Sequence, residues 1–185
     1  GINMRIVSGR ARGTKLYSPK NEKIRPTSDK IKESIFNILQ PLTPDAMVLD
    51  LFAGTGGIGL EFISRGAKKT YFVDNNRESI DLIKKNIAKC RFEDQSIVMN
   101  LDYEKALNIA IRDHLRFDYI FVDPPYASFK DMRLVDKIVE GELLNDGGMI
   151  VLEVEKDECP ELKSTGISMK ERIYGRTKII IITGG

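Results

Sequence analysis

From residue 46 onward the chain switches repeatedly between two hydrophobic periods. Short apolar runs at 46–52 (AMVLDLF), 70–73 (TYFV), 96–99 (SIVM), 117–122 (FDYIFV) and 149–154 (MIVLEV) read as buried strands, rich in β-branched and aromatic residues. Between them, apolar residues recur every three or four positions. This predicts a helix from about 58, one over 77–90 with Ile80, Ile83 and Ile87 on one stripe, one over 104–115 and one over 131–140. Residues 145–148 (NDGG) read as a turn, and 167–174 with 177–183 flank Gly175 as a hairpin. Five β–α alternations predict the α/β class: a parallel sheet covered by helices on both faces, to which the terminal hairpin adds an antiparallel strand.

The first 40 residues follow a different pattern. Residues 5–17 alternate and are punctuated by Gly9 and Gly13, which predicts a short hairpin. Thr27 or Ser28 then caps a helix that carries Ile31, Ile35, Ile38 and Leu39 on one face and ends at Pro41. We read residues 1–40 as a small extension of a domain formed by 41–185, and Gly1-Ile2-Asn3 ahead of Met4 as an expression remnant. A chain of 185 residues is enough for one domain with a real core.

Charge changes this picture. The net charge is only +2, but residues 1–32 hold nine Lys or Arg against two acids, leaving 20 basic against 25 acidic residues elsewhere. Such asymmetry points to a polyanionic partner held by the extension, with Arg5, Arg10, Arg12, Lys15 and Arg25 as candidate contacts. No apolar run is long enough for a transmembrane helix and no signal segment opens the chain. Cys90 and Cys159 lack metal-ligand spacing and read as thiols of a reducing cytoplasm; no metal is expected. His114, the only histidine, reads as a residue near a helix end rather than a base or ligand.

Candidate chemistry sits where strands end. After the first strand, Gly54, Gly56 and Gly59 fit G-x-G-x-x-G, and Asp74 ends the next strand. Alone, this pattern admits NAD, FAD or S-adenosylmethionine. Asp50 favours the last: a carboxylate at the mouth of the loop repels a pyrophosphate but suits an ammonium and a sulfonium. Asp74 is placed to accept from ribose hydroxyls. Asp102, past the third strand, can accept from an adenine amine or cap the following helix, and the two roles can coexist.

The fourth strand ends in Asp123-Pro124-Pro125-Tyr126, an unusual sequence for a turn. Pro125 restricts Pro124 to an extended backbone, and neither has an N–H, so the Pro124 carbonyl has a fixed direction. That carbonyl and the Asp123 carboxylate make two acceptors for the two hydrogens of an exocyclic amine. Tyr126 supplies a face for a planar base.

The segments "DLFAGTGGIGLE", "SRGA", "FVDPPY", "MRIVSGRARGTKL" and "IRPTSDKIKESIFNIL" together resemble the bacterial 16S rRNA guanine-N2 methyltransferase family known as RsmD, over nearly the whole chain. The resemblance implies a Rossmann-like class I methyltransferase fold with a mostly parallel seven-stranded sheet, S-adenosylmethionine as donor and a guanine of 16S rRNA as substrate. Carried over by position, Asp50, Gly54 and Gly56 hold the methionine end, Asp74 the ribose and Asp102 the adenine, with Phe52, Asn75 and Tyr103 completing the cofactor set. Asp123, Pro124, Pro125 and Tyr126 hold the guanine amine. Asp74 stands where the family often carries Glu. With no separate recognition domain in sight, an assembling small ribosomal subunit is the expected form of the substrate. An adenine-N6 nucleic-acid methyltransferase shares the Asp-Pro-Pro-Tyr chemistry, a glutamine-modifying enzyme more often shows Asn at position 123, and a non-enzymatic RNA-binding protein or a nicotinamide oxidoreductase would use only the arm or only the loop.

Overall fold

In a computed structural model the described residues are 4–20, 27–125, 133–160, 162–164 and 166–184. Five strands run parallel: β1 (Met47–Leu51), β2 (Lys69–Asp74), β3 (Ser96–Asn100), β4 (Phe117–Val122) and β5 (Leu144–Glu155). The terminal hairpin, β6 (Ile167–Tyr174) and β7 (Thr177–Gly184), joins antiparallel through β7, giving one seven-stranded sheet in the order β3-β2-β1-β4-β5-β7-β6. The chain steps outward from β1 to β3 and then returns to lay β4 on the other side of β1. That reversal opens a crevice at the carboxyl ends of β1 and β4, where open α/β sheets bind ligands.

Strand alternation divides the core into two layers. Leu49, Leu51, Ile120, Val122, Ile150 and Leu152 pack against Ala106, Leu107 and Ala110 of α4 (Tyr103–Arg112) and Leu134, Val135 and Ile138 of α5 (Leu134–Glu140). On the other face, Val48, Phe121, Val151 and Ile179 meet Ile35, Phe36 and Leu39 of α1 (Asp29–Leu39) and Ile58 and Phe62 of α2 (Gly57–Ser64). Beside them, Ile80, Ile83 and Ile87 of α3 (Arg77–Cys90) cover Phe72. Asp50 of β1 and Glu153 of β5 occupy alternation positions on this second face.

The N-terminal residues are part of the same core. Met4, Ile6 and Leu16 are buried in the cluster that α2 and α3 share. Buried Glu61 on α2 accepts from the amides of Val7 (2.9 Å) and Ser8 (3.0 Å) and pairs with Lys32 (3.4 Å) and Arg65 (2.8 Å). Ser64 accepts the Arg10 amide at its carbonyl and the Ala11 amide at its hydroxyl. A side chain at Gly9 would run into the Ser64 backbone, and its φ of +89° is in the left-handed region. The expected hairpin is present as a short ladder rather than two full strands: Arg5 bridges Lys15, the Ile6, Gly13 and Leu16 amides bond across it, and the amides of Val7, Ser8, Arg10 and Ala11 go to α2.

Three other boundaries differ from expectation. The NDGG segment lies inside β5: Leu144 pairs with Phe117 and Met149 with Tyr119, so the residues between form a bulge. Gly148 is packed there against the carbonyls of Asn145 and Phe117, each 2.8 Å from where a Cβ would stand. Helix α4 stops at Arg112, where His114 takes a left-handed φ of +55° and the amide of Leu115 returns to the Ala110 carbonyl. Helix α5 begins at Leu134, after Arg133 at a φ of +44°; the rest of its expected first turn, residues 131 and 132, lies outside the described residues. Ser28, not Thr27, caps α1, accepting from the Ile31 amide at 3.2 Å.

Candidate active site

The loop between β1 and α2 is held by its own hydrogen bonds. Phe52, Gly54 and Gly56 all have positive φ (59°, 59° and 82°). The Ala53 amide donates to the Val73 carbonyl, Gly54 to Asp74 Oδ2 (2.9 Å), Gly56 to the Ala53 carbonyl, Gly57 to Thr55 Oγ1 and Gly59 to Asp50 Oδ2 (3.1 Å). These amides are therefore spent internally, and a pyrophosphate would find none of them free. Gly59 lets α2 lie against β2, since a Cβ there would collide with the Phe72 ring.

Two carboxylates, Asp50 and Asp74, bond to this loop, and a third, Asp102, stands past the end of β3. Asp50 is almost fully buried, and burial pushes its carboxyl well above the usual carboxylate range; the Gly59 hydrogen bond opposes this, while the charges of Asp123 and Asp74 push the same way. Asp74 is also raised by burial, against the pull of the Asn76, Gly54 and Asn75 amides. Asp102 caps α4, accepting from the Lys105 amide at 2.9 Å. The rings of Phe52 and Tyr103 meet at 5.5 Å. Loop, acids and rings fit S-adenosylmethionine: carboxyls whose ionisation burial disfavours are stabilised in their charged form by a bound cation, and the lone pairs of Asp74 not used by the Gly54 and Asn76 amides suit hydroxyl donors.

Asp123 stands between two cavities. One, of about 30 Å³, is lined by Asp50, Phe52, Gly54, Lys32 and Asp123. The other, of about 420 Å³, is lined by Ser28, Asp123, Pro124, Pro125, Glu153 and Arg176 among others. The cofactor loop and the Asp-Pro-Pro segment thus meet at one carboxylate. Burial, and then the charge of Asp123, drive the Glu153 carboxyl well above its usual range, and the two acids share a side-chain hydrogen bond. The sequence pattern singles out neither Glu153 nor Arg176. The signal for Glu153 is a lone acid at the end of the apolar run MIVLEV; Arg176 gives none, since only folding of the terminal hairpin brings it here.

The basic candidates separate. Arg5 pairs with Asp29 at the start of α1 (3.4 Å), near the larger cleft, and Lys15 is its bridge partner. Arg10 lies toward the opposite sheet edge, its amide on Ser64 at the end of α2, its guanidinium on Gln95 (2.8 Å) just ahead of β3 and 5.1 Å from the Phe92 ring centre. Arg12 sits on the same exposed tip. Arg25 and Tyr126 lie outside the described residues.

The sheet order, the crevice and the antiparallel terminal hairpin define a class I methyltransferase fold. Within that class the chain belongs to the family described as Conserved hypothetical protein 95, whose model matches residues 4–183. It is 37% identical to YlbH of Bacillus subtilis over 96% of this chain and 97% of that protein. It is 32% identical to Ribosomal RNA small subunit methyltransferase D of Haemophilus influenzae over 93% of this chain and 89% of that one. The solved structure of Escherichia coli yhhF superimposes with a TM-score of 0.84 at 26% identity, covering 98% of both chains. The resemblance read from the sequence segments holds across the chain.

Proposed function

We propose that this protein transfers a methyl group from S-adenosylmethionine to the exocyclic N2 amine of a guanine in 16S rRNA. The observation that carries this reading is the position of Asp123, which walls both the glycine-loop cavity and the larger cleft. The relatives named as ribosomal RNA small subunit methyltransferases support rRNA as the substrate class.

Asp50 and the loop from Phe52 to Gly56 hold the methionine end, Asp74 with Asn75 the ribose, and Asp102 with Tyr103 the adenine. Bound there, S-adenosylmethionine supplies an electrophilic methyl group on a cationic sulfur. The amine is a weak nucleophile because its lone pair is delocalised into the base. Asp123 and the Pro124 carbonyl accept its two hydrogens, return density to nitrogen and stabilise the positive charge that develops during attack. As the N–C bond forms and the C–S electron pair leaves with sulfur, Asp123 is placed to take the departing proton. Tyr126 stacks on the base, worth about 1–3 kcal/mol. The basic N-terminal residues hold phosphates, and the substrate is an assembling small subunit in the cytoplasm.

Calorimetric titration with S-adenosylhomocysteine and with NAD separates a methyltransferase from an oxidoreductase: only the first should bind. Mass spectrometry of nucleosides from treated small-subunit rRNA should then find N2-methylguanine. N6-methyladenine instead would establish the adenine reading.

A further inference from the structure

Among the described residues of the larger cleft, Glu153 has chemistry that methyl transfer leaves unused. The parallel register pairs Phe121 with Val151 and Val122 with Leu152, so one further step sets Asp123 beside Glu153. Both face the α1 and α2 side of the sheet and line the larger cleft. The pair shares a hydrogen bond. Yet Oε1 of Glu153 is buried without a hydrogen-bond partner among the described residues. A buried, unsatisfied acceptor is costly, and a donor that enters the cleft would satisfy it.

We infer that Glu153 reads the Watson–Crick edge of the acceptor base, its Oε1 accepting from the N1–H of guanine and so excluding bases with an acceptor at that position. This rests on the methyl-transfer reading above and extends it to base choice. Guanine alone among the four RNA bases carries an N–H donor on the ring atom next to a carbon bearing an exocyclic amine; adenine and cytosine present a bare ring nitrogen beside theirs. Burial, and then the charge of Asp123, raise the Glu153 carboxyl well above its usual range, which favours its protonated form. Its one proton is engaged by Asp123, which leaves Oε1 as an acceptor only. The remaining lone pairs of Asp123 accept from the neighbouring N2 amine. Adenine turned into the same site would set its N1 lone pair against Oε1, two acceptors facing each other with no proton between them.

The test uses two short RNAs identical except at the modified position, mapped first by mass spectrometry: one carries guanine, the other 2,6-diaminopurine. The second keeps the C2 amine but has an acceptor at N1. The wild-type protein should methylate the guanine RNA with a kcat/KM on the order of 10²-fold or more higher, since a buried acceptor left unpaired is strongly discriminating. Glu153→Ala, which removes the acceptor, should reduce that ratio by about tenfold, whereas Glu153→Gln, whose amide can donate to Asp123 and present its carbonyl to the base, should keep it. Binding of S-adenosylhomocysteine by both variants should persist, which reports that they are folded. Equal wild-type rates on the two RNAs would overturn the inference without any variant. So would a Glu153→Ala protein that slows on both RNAs by the same factor, for Glu153 would then only prop Asp123. Binding of S-adenosylhomocysteine with no transfer to guanine N2 would instead sink the parent reading, and this one with it.

Discussion

The amide of Gly54 donates to Oδ2 of Asp74 at 2.9 Å, joining the loop after β1 to the end of β2. The Asn76 amide holds the other oxygen at 3.0 Å. Asp74 therefore shapes the loop, and in the proposed reading also offers lone pairs to a ribose. Asp74→Ala should weaken S-adenosylhomocysteine binding by about 1–3 kcal/mol, the cost of losing a charged acceptor, and should leave the fold intact at this open edge. Calorimetry checks this, and an unchanged affinity would exclude Asp74 from the cofactor site.

Asp50 should carry a pH signature. Its folded-state pKa is raised by burial, so the stability it contributes as a neutral acid is fully present below the unfolded value, about 3.9, and is lost as pH rises through the raised folded value. Asp50→Asn cannot ionise. The variant should melt at a higher temperature than wild type at pH 7–8, and the difference should shrink toward pH 4, while S-adenosylmethionine affinity falls at neutral pH. A melting difference that does not change with pH would contradict the account of this carboxyl.

Glu61 anchors the N-terminal segment. Glu61→Ala would leave buried Lys32 without its carboxylate and the Val7 and Ser8 amides without acceptors. Breaking a buried ion pair from one side costs about 3–5 kcal/mol, and denaturant unfolding should show a loss of that size. A loss below about 0.5 kcal/mol, the usual effect of a surface change, would show that the segment does not depend on Glu61.

The arm's basic residues should not be equivalent. Arg5 and Lys15 lie on the cleft side and Arg10 and Arg12 at the far tip, with the Arg10 guanidinium already on Gln95. Replacing Arg5 and Lys15 by Ala should lower the slope of log affinity against log salt by about 0.7–0.9 for each phosphate no longer neutralised. The Arg10 and Arg12 pair should change it less. Fluorescence titrations with small-subunit rRNA across salt concentrations would reverse this ranking if RNA approaches from the tip.

The elements that carry the crevice are legible in the sequence because each strand and helix is long enough to show its own period. Val48 and Phe121 pack as strand alternation requires, and Ile80, Ile83 and Ile87 as a helical stripe requires. What is not legible depends on partners distant in sequence. NDGG has the composition of a turn, yet β4 pairs with both Leu144 and Met149 and keeps the segment inside β5. The charge of Arg10 is plain in the sequence; its seat against Ser64 and Gln95 is not, because α2 supplies it. The Asp-Pro-Pro segment stands out in the sequence, but Glu153 meets it only through the register of β4 and β5.

The central claim is that Asp123 holds the amine being methylated, and turnover by Asp123→Ala tests it most directly. The assay follows labelled methyl transfer from S-adenosylmethionine to unmodified small-subunit particles, with the product nucleoside identified by mass spectrometry. Wild type should form N2-methylguanine, and the variant should bind S-adenosylhomocysteine nearly as well but turn over about 10²–10³-fold more slowly, the scale of removing one preorganised electrostatic partner. Full turnover by Asp123→Ala would contradict the amine-acceptor role outright.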